Sequence, residues 1–208
     1  MFVLDFDDTL FDTRAFKEAR RNALHSLGVS YEVYERSYLL ARNRSFGRVL
    51  YSDLSHAQCL VSFGFDYEAV YRVLSHITNK SHIFLYQDTL SFLSLLQKKG
   101  HRVLVLSLGD EVFQKNKIIG SGVDSFVDKV FTVSTTKKEV LENILTKNAK
   151  DVVYLVNDKI EETKELVASF PQLFPILKIS RSIPREAYEQ SGLLLIDNLS
   201  ELFSLDVV

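Results

Sequence analysis

Four short apolar runs, separated by stretches with helical spacing, constrain the fold of this chain more than any other feature. They are Phe2-Val3-Leu4, Arg102–Ser107, Lys129–Val133 and Asp151–Val156. Near-continuous apolar runs suit the strands of a parallel sheet covered on both faces. Asp88–Lys99, Asp110–Ile119, Lys137–Lys147 and Lys159–Ser169 read as helices, with Gly100 and Gly120 as stops for the first two. Pro175–Ser180 and Leu193–Ile196 add two strand candidates, and Asn198–Phe203 a last short helix. Repeated βα units predict an α/β fold with a doubly wound parallel sheet and a ligand crevice beyond the carboxyl ends of its strands.

One segment breaks this alternation. From Thr13 to His82 the spacing is helical throughout. Thr13 is read as the N-cap of a helix carrying Ala15, Phe16, Ala19, Ala23, Leu24 and Leu27, with Gly28 as its stop. A second helix is expected over Tyr31–Asn43, Gly47 interrupts, and further helices follow around Ser55–Phe63 and Tyr67–His76. With no convincing strand alternation, residues 13–82 are expected to form an all-helical insert after the first strand.

Composition narrows the function classes. Of the 208 residues, 46% are hydrophobic and 25% charged, the profile of an ordinary soluble domain. A net charge of −2 implies no strong attraction to nucleic acid or an anionic membrane. Cys59 is the single cysteine, which excludes an intramolecular disulfide and leads us to expect a cytoplasmic setting. The N-terminus lacks a basic segment followed by an apolar one, so no secretory signal is expected. No apolar run reaches the roughly 20 residues needed to cross a bilayer.

The chemistry is expected where polar residues end the apolar runs. Asp5 closes the first run and is followed by Asp7, Asp8 and Thr9. Carboxylates this close repel one another, and burying them unpaired is costly unless a cation neutralises them. Oxygen ligands without Cys or a nearby His favour Mg²⁺ over zinc. Ser107 ends the second run, and Asn157-Asp158 follow the fourth. Lys137 and Lys138 open the helix after Phe131–Val133, where an ammonium and helix N–H groups could face an anion. An anionic ligand with a cation is the simplest content for such a site.

Asp5-x-Asp7-x-Thr9 after an N-terminal apolar strand, followed in order by Ser107, Lys137 and Asp158 at later element ends, resembles the haloacid dehalogenase superfamily, phosphatase branch. The resemblance implies a Rossmann-like core over residues 1–12 and 83–208, with residues 13–82 as a type 1 helical cap. It makes Asp5 the nucleophile and Asp7 the general acid/base. It assigns Ser107, Leu108, Lys137 and Thr9 to phosphate binding, with Lys138 as the alternative to Lys137. Asp5, Asp7 through its main-chain carbonyl, and Asp158 would hold Mg²⁺, with Glu162 as a weaker partner. Thr9 is also expected to position the loop through side-chain hydrogen bonds. Two positions depart from the family pattern: Leu108-Gly109 stands where many relatives have Asn-Gly, and Asn157 where they carry Gly or Asp.

The implied reaction is Mg²⁺-dependent hydrolysis of a phosphate monoester of a small metabolite through an aspartyl-phosphate. Asp7 would need a pKa lifted toward neutrality, which the crowd of carboxylates could supply. Asp at position 7 argues against the dehalogenase branch. A sugar phosphomutase or an idle binding relative are the alternatives within the fold. A receiver-type signalling domain fails on organisation, since it lacks a helical insert and carries its phosphorylated Asp mid-chain. For substrate contacts, Arg14 and then Arg44 and Arg48 are the candidates in or beside the insert, and Arg20, Tyr38 and His56 share that region. Inward-pointing members would favour a second anionic group or a base stacked on Tyr. Hinges are expected near Asp12–Arg14 and Ile83–Tyr86. Oligomeric state is not readable.

Overall fold

Strand β1 (Phe2–Leu4) is buried on both faces, and its three side chains divide between two apolar layers. Phe2 and Leu4 join Phe92, Val103, Val105 and Val156 on one side of the sheet. Val3 joins Leu104, Leu106, Leu141 and Leu155 on the other. That division follows from the two-residue period of a strand and explains why the run carries no polar alternation. The structure, a computed structural model, describes residues 1–45, 48–148 and 151–204; the side chains of residues 43–45, 48 and 49 are outside the described set.

After β1 come α1 (Thr13–His25), α2 (Tyr31–Ala41), β2 (Asn43–Ser45), β3 (Arg48–Leu50), α3 (Asp53–Val61) and α4 (Tyr67–Asn79). The chain continues through α5 (Thr89–Lys98), β4 (Val103–Leu108), α6 (Glu111–Ser121), β5 (Lys129–Val133) and α7 (Lys138–Lys147). It ends with β6 (Val153–Asn157), α8 (Ile160–Ser169), β7 (Leu173–Lys178), α9 (Arg185–Glu189) and β8 (Leu194–Ile196). Six strands form one parallel sheet in the order β5-β4-β1-β6-β7-β8. Successive strands run outward from β1 on one side, then restart on the other, the Rossmann-like order in which β1 and β6 flank the crevice. The expected α/β fold is therefore the observed one.

Differences from expectation are local and have identifiable causes. Asp12, not Thr13, caps α1: its carboxylate accepts from Ala15 N at 2.8 Å. The insert between β1 and α5 is not purely helical, because β2 and β3 pair antiparallel as a short ribbon. Gly120 does not stop α6; the helix runs to Ser121 and Gly122 takes the left-handed cap at φ 76°. Gly120 is needed instead for packing, since a Cβ there would lie 2.4 Å from the Thr78 carbonyl oxygen at the end of α4. Helix α9, absent from the sequence reading, anchors buried Tyr188.

Helices α1 to α4 have a small apolar core of their own, built on Leu24, Tyr34, Leu60, Val70 and Leu74. Arg20 is buried beside it. Its guanidinium pairs with Asp53, donates to Thr78 Oγ1 at 3.0 Å and to the Tyr51 hydroxyl, and lies over Phe16, Tyr51 and Phe113. His56 completes this network, between the Tyr51 hydroxyl at 2.7 Å and Ser37 Oγ at 3.0 Å. Burial first, and then Arg20, hold the His56 imidazole down at about 3. Among the described residues, no helix is long and apolar enough to cross a membrane.

Candidate active site

The carboxyl ends of β1, β4 and β6, three adjacent strands, deliver Asp5, Ser107 and Asn157-Asp158 to one crevice. Asp5 is fixed by its backbone, whose N–H donates to Val156 O at 2.9 Å. Lys137 at the start of α7 donates to Asp5 Oδ1 at 2.7 Å and to Glu162 Oε2 at 2.8 Å. Lys137 is fully buried in doing so, whereas Lys138 is exposed. Glu162 Oε2 also accepts from Asn157 Nδ2 at 3.0 Å, so this oxygen serves Lys137 and Asn157. The departure at Asn157 thus has a local function: its amide orients Glu162 and Thr163, and its Oδ1 accepts from Asp158 N.

The loop after β1 turns sharply. Asp8 has φ 57°, the only non-Gly residue with positive φ among those described, at a position where a left-handed conformation favours Gly. Its carboxylate offsets the strain by accepting from nearby Thr13 N at 3.2 Å and from Ser182 Oγ, distant in sequence, at 3.1 Å. Burial first, then the neighbouring Asp7, raise the Asp8 carboxyl above its ordinary value.

Five buried side-chain atoms among the described residues have no hydrogen-bond partner: Asp5 Oδ2, Thr9 Oγ1, Ser107 Oγ, Gln114 Oε1 and Asp158 Oδ1. Four belong to residues expected at the site, and the fifth side chain touches Asp7. Buried polar atoms are otherwise almost always paired, so this concentration marks a ligand-binding surface. It also corrects one expectation: Thr9 does not position the loop through its hydroxyl, which bonds to nothing.

Asp7 holds the second correction. Its carboxylate accepts from Lys117 Nζ at 2.6 and 2.8 Å, from Gln114 Nε2 at 2.7 Å and from Thr13 Oγ1 at 3.1 Å. Burial pushes its pKa up, but Lys117 and Gln114 outweigh that and hold it at about 2. The expected lift toward neutrality is absent because a buried ammonium, not a neighbouring carboxylate, controls this group. The carboxyl lifted into the neutral range is instead Asp158, pushed to about 8 by burial and then by Asp5.

The donor set fits a hard divalent cation. Asp5 and Asp158 are buried, mutually repelling carboxylates, each with an unpartnered oxygen. Among the described residues no group of three or more His, Cys, Asp and Glu gathers around a common point. Mg²⁺ does not require one, since it is commonly held by one or two carboxylates, waters and substrate phosphate oxygens.

A cavity of about 280 Å³ opens beside these groups, lined by Asp7, Gln114, Lys117, Asp158 and Lys159 and, further out, by Lys17, Tyr38 and Arg42. An adjoining cavity of about 390 Å³ carries Arg14 with Asp8, Asp12, Tyr86 and Arg181. Arg14 is thus near the site, but exposed. The other expected substrate residues, Arg44 and Arg48, lie outside the described side chains. Arg20 and His56 are tied into the packing of the insert instead. Leu108 ends β4, and its carbonyl accepts from Gln114 Nε2 at 3.2 Å.

Sequence reading missed Gln114 and Lys117. A signal existed: with Phe113, Ile118 and Ser121 they occupy the buried stripe of α6, so two strongly polar residues stand on its core face.

Fold and site together define a doubly wound α/β enzyme with a carboxylate-rich crevice at the switch point of its sheet. The family model for haloacid dehalogenase-like hydrolases matches residues 1–167, and the chain belongs to that family. A haloacid dehalogenase-like hydrolase of Burkholderia xenovorans superposes with a TM-score of 0.75 at 20% identity, over 99% of this chain and 95% of that one. A HAD-hydrolase of Bacillus subtilis, solved bound to magnesium, gives 0.64 at 14% identity, covering 100% and 98%. A Haemophilus somnus protein described as a phosphoglycolate phosphatase gives 0.60 at 11% identity, covering 99% and 97%. At such low identities the superpositions establish a common fold. No curated protein sequence matches the chain.

Proposed function

We propose that the chain is a Mg²⁺-dependent phosphatase, hydrolysing a small-molecule phosphate monoester through an aspartyl-phosphate on Asp5. One observation carries this reading. Asp5 Oδ2, Ser107 Oγ and Asp158 Oδ1 are buried and unpartnered at three adjacent strand ends, while Lys137 covers the other Asp5 oxygen.

With Oδ1 held by Lys137, Asp5 Oδ2 is the oxygen free to attack phosphorus, forming an O–P bond as the bond to the leaving alcohol breaks. Ser107 Oγ–H and the Lys137 ammonium are the donors for the phosphoryl oxygens. Asp7 gives a proton to the leaving oxygen and later takes one from the water that cleaves the acyl phosphate. Lys117 keeps Asp7 ionised and ready for the second role. A phosphate dianion entering beside it repels that charge and favours the proton needed for the first. Asp5, Asp158 and the main-chain carbonyl of Asp7 would hold Mg²⁺, which supplies positive charge against the phosphoryl oxygens.

Residues 13–82 act as a cap over a core of residues 1–12 and 83–208 in this reading. The separate apolar cluster of α1–α4 supports that division. The two connections are bonded to each other, Asp12 N to Phe84 O at 2.8 Å and Tyr86 N to Leu10 O at 3.1 Å, so they would flex as a unit. A small cytoplasmic metabolite is the expected substrate class.

The test is phosphate release from para-nitrophenyl phosphate and a panel of small phosphoesters, with and without Mg²⁺, beside Asp5→Asn. The expected result is Mg²⁺-dependent release that disappears in the variant. Release that persists in Asp5→Asn would reject Asp5 as nucleophile, and folded wild type inert on every compound would reject the phosphatase.

A further inference from the structure

We propose that Lys117, assisted by Gln114, is the positioning residue for Asp7, aiming its carboxylate at the leaving-group oxygen. The inference rests on the phosphatase reading above, in which Asp7 handles the leaving group's proton.

The argument begins with how Lys117 is held. Its side chain is 3% exposed. Its Nζ lies 5.2 to 5.8 Å from the ring centroids of Phe6, Phe11, Phe16 and Phe113. Four aromatic faces stabilise an ammonium without solvating it and leave the chain little rotameric freedom. Among the described residues, its hydrogen bonds go to Asp7 alone, one N–H to each oxygen. A compact cation on a flexible stem ordinarily makes a poor orienting group. Enclosure by rings makes this one a fixed point.

Gln114 sets the remaining angle. Its Nε2 donates to Asp7 Oδ2 at 2.7 Å and to Leu108 O at 3.2 Å. The amide lies directly against Gly109, where a Cβ would come within 2.8 Å of Nε2. Any side chain at position 109 would therefore displace this donor. With Thr13 Oγ1, the carboxylate has donors on both oxygens from two elements, α1 and α6. Tertiary structure, not the loop alone, sets its direction.

A merely structural role does not explain this arrangement. A buried ion pair can often be replaced by apolar residues without loss of stability, so packing alone is weak reason for an ammonium here. The cage also spans two parts of the chain. Phe16 is on α1 of the insert, Phe113 is on α6, and Phe6 and Phe11 are on the loop carrying Asp7. Seating α1 against α6 thus completes the surroundings that hold Lys117 on Asp7.

The test exploits the leaving group. Proton donation matters most for a basic leaving alcohol and least for para-nitrophenol. We would measure kcat and KM with saturating Mg²⁺ over substituted phenyl phosphates from para-nitro to para-methoxy. Wild type, Lys117→Met, Gln114→Met, Asp7→Asn and the Asp7→Asn/Lys117→Met double variant would be compared. Lys117→Met is expected to leave KM within about twofold and to lower kcat increasingly as the phenol becomes more basic. The loss should approach about 10²-fold at the basic end, the lower range for removing a general acid. Gln114→Met should show the same slope with a smaller loss; it keeps the charge balance and carries the test if Lys117→Met does not fold. In the Asp7→Asn background, Lys117→Met should change nothing further, since the residue it acts through is gone.

A loss uniform across the series, or one undiminished in the Asp7→Asn background, would overturn the positioning role while leaving the phosphatase intact. Wild type that is folded but releases phosphate from none of these esters would overturn the phosphatase reading and this inference with it.

Discussion

Substituting Asp158 by Asn should stabilise the metal-free protein at alkaline pH and abolish its response to Mg²⁺. Asp158 is 3% exposed and has one unpartnered oxygen. Burial and then Asp5 move its pKa from 3.8 to about 8. Each unit corresponds to about 1.4 kcal/mol, so ionising Asp158 in the folded chain is opposed by at most roughly 6 kcal/mol. An effective dielectric near 20 at such sites argues for the smaller figure of about 2 to 3 kcal/mol.

The sign follows from proton counts. Between pH 3.8 and about 8 the folded state holds a proton on Asp158 that the unfolded state has released. Stability from this group is therefore complete below the lower value and lost as pH rises through the upper one. Mg²⁺ held by Asp5 and Asp158, as proposed, would cancel that loss by neutralising the pair. For a chain of this length 1 kcal/mol is worth about 2 to 4 °C in Tm. Excess Mg²⁺ should thus raise the wild-type Tm by roughly 5 to 10 °C near pH 8 and by far less near pH 5. Differential scanning fluorimetry with EDTA or Mg²⁺ at the two pH values reads this directly. Asp158→Asn should melt at or above wild type in EDTA at pH 8, with no Mg²⁺ shift. A variant that melts lower in EDTA yet keeps the full shift would refute the reasoning.

Two predictions concern the architecture behind the site. Arg20→Leu leaves Asp53 buried without its ion partner and should cost about 3 to 5 kcal/mol in urea unfolding, the range for breaking one side of a buried pair. An Arg20→Leu protein within 1 kcal/mol of wild type, by order of magnitude, would show that solvent reaches Asp53. Gly120→Ala places a methyl against the Thr78 carbonyl and should destabilise by about 1 to 3 kcal/mol, the range for overpacking. An increase in the urea midpoint would mean that α4 and α6 do not approach as closely as described.

The sheet was legible because its signal is redundant. The three central strands repeat the same rule, apolar on both faces and polar at the carboxyl end, so β1, β4 and β6 with Asp5, Ser107 and Asp158 could be read from short windows. The insert was less legible because its polar residues resolve only in three dimensions. Arg20 looks like one more charge on a solvated helix, yet it is buried by Asp53 from α3 and Thr78 from α4. Gly120 looks like a stop because the carbonyl it accommodates is 42 positions earlier in sequence, at Thr78. Lys137 could be favoured over Lys138 by register with Leu141, since α7 turns that face toward the core.

Asp7 shows where local reading fails in sign. Three carboxylates within four residues suggest mutual repulsion and raised pKa values all round. The fold instead separates them into two electrostatic situations. Asp7 faces Lys117, a cation contributed from 110 residues away, and is ionised at rest. Asp5 and Asp158 share their side of the crevice with Glu162, and Lys137, among the described residues the buried cation bonded there, is divided between Asp5 and Glu162. Lys159 adds positive charge near Asp5, Glu162 and Asp158, and once Asp158 ionises negative charge exceeds positive there; in the proposed mechanism a cation beside Asp158 offsets that excess. Asp7, whose charge is already matched, needs none. In the proposed mechanism the cation and the acid/base function therefore fall to different carboxylates, Asp5 with Asp158 for the one and Asp7 for the other. What separates them is a lysine that no motif in that loop contains.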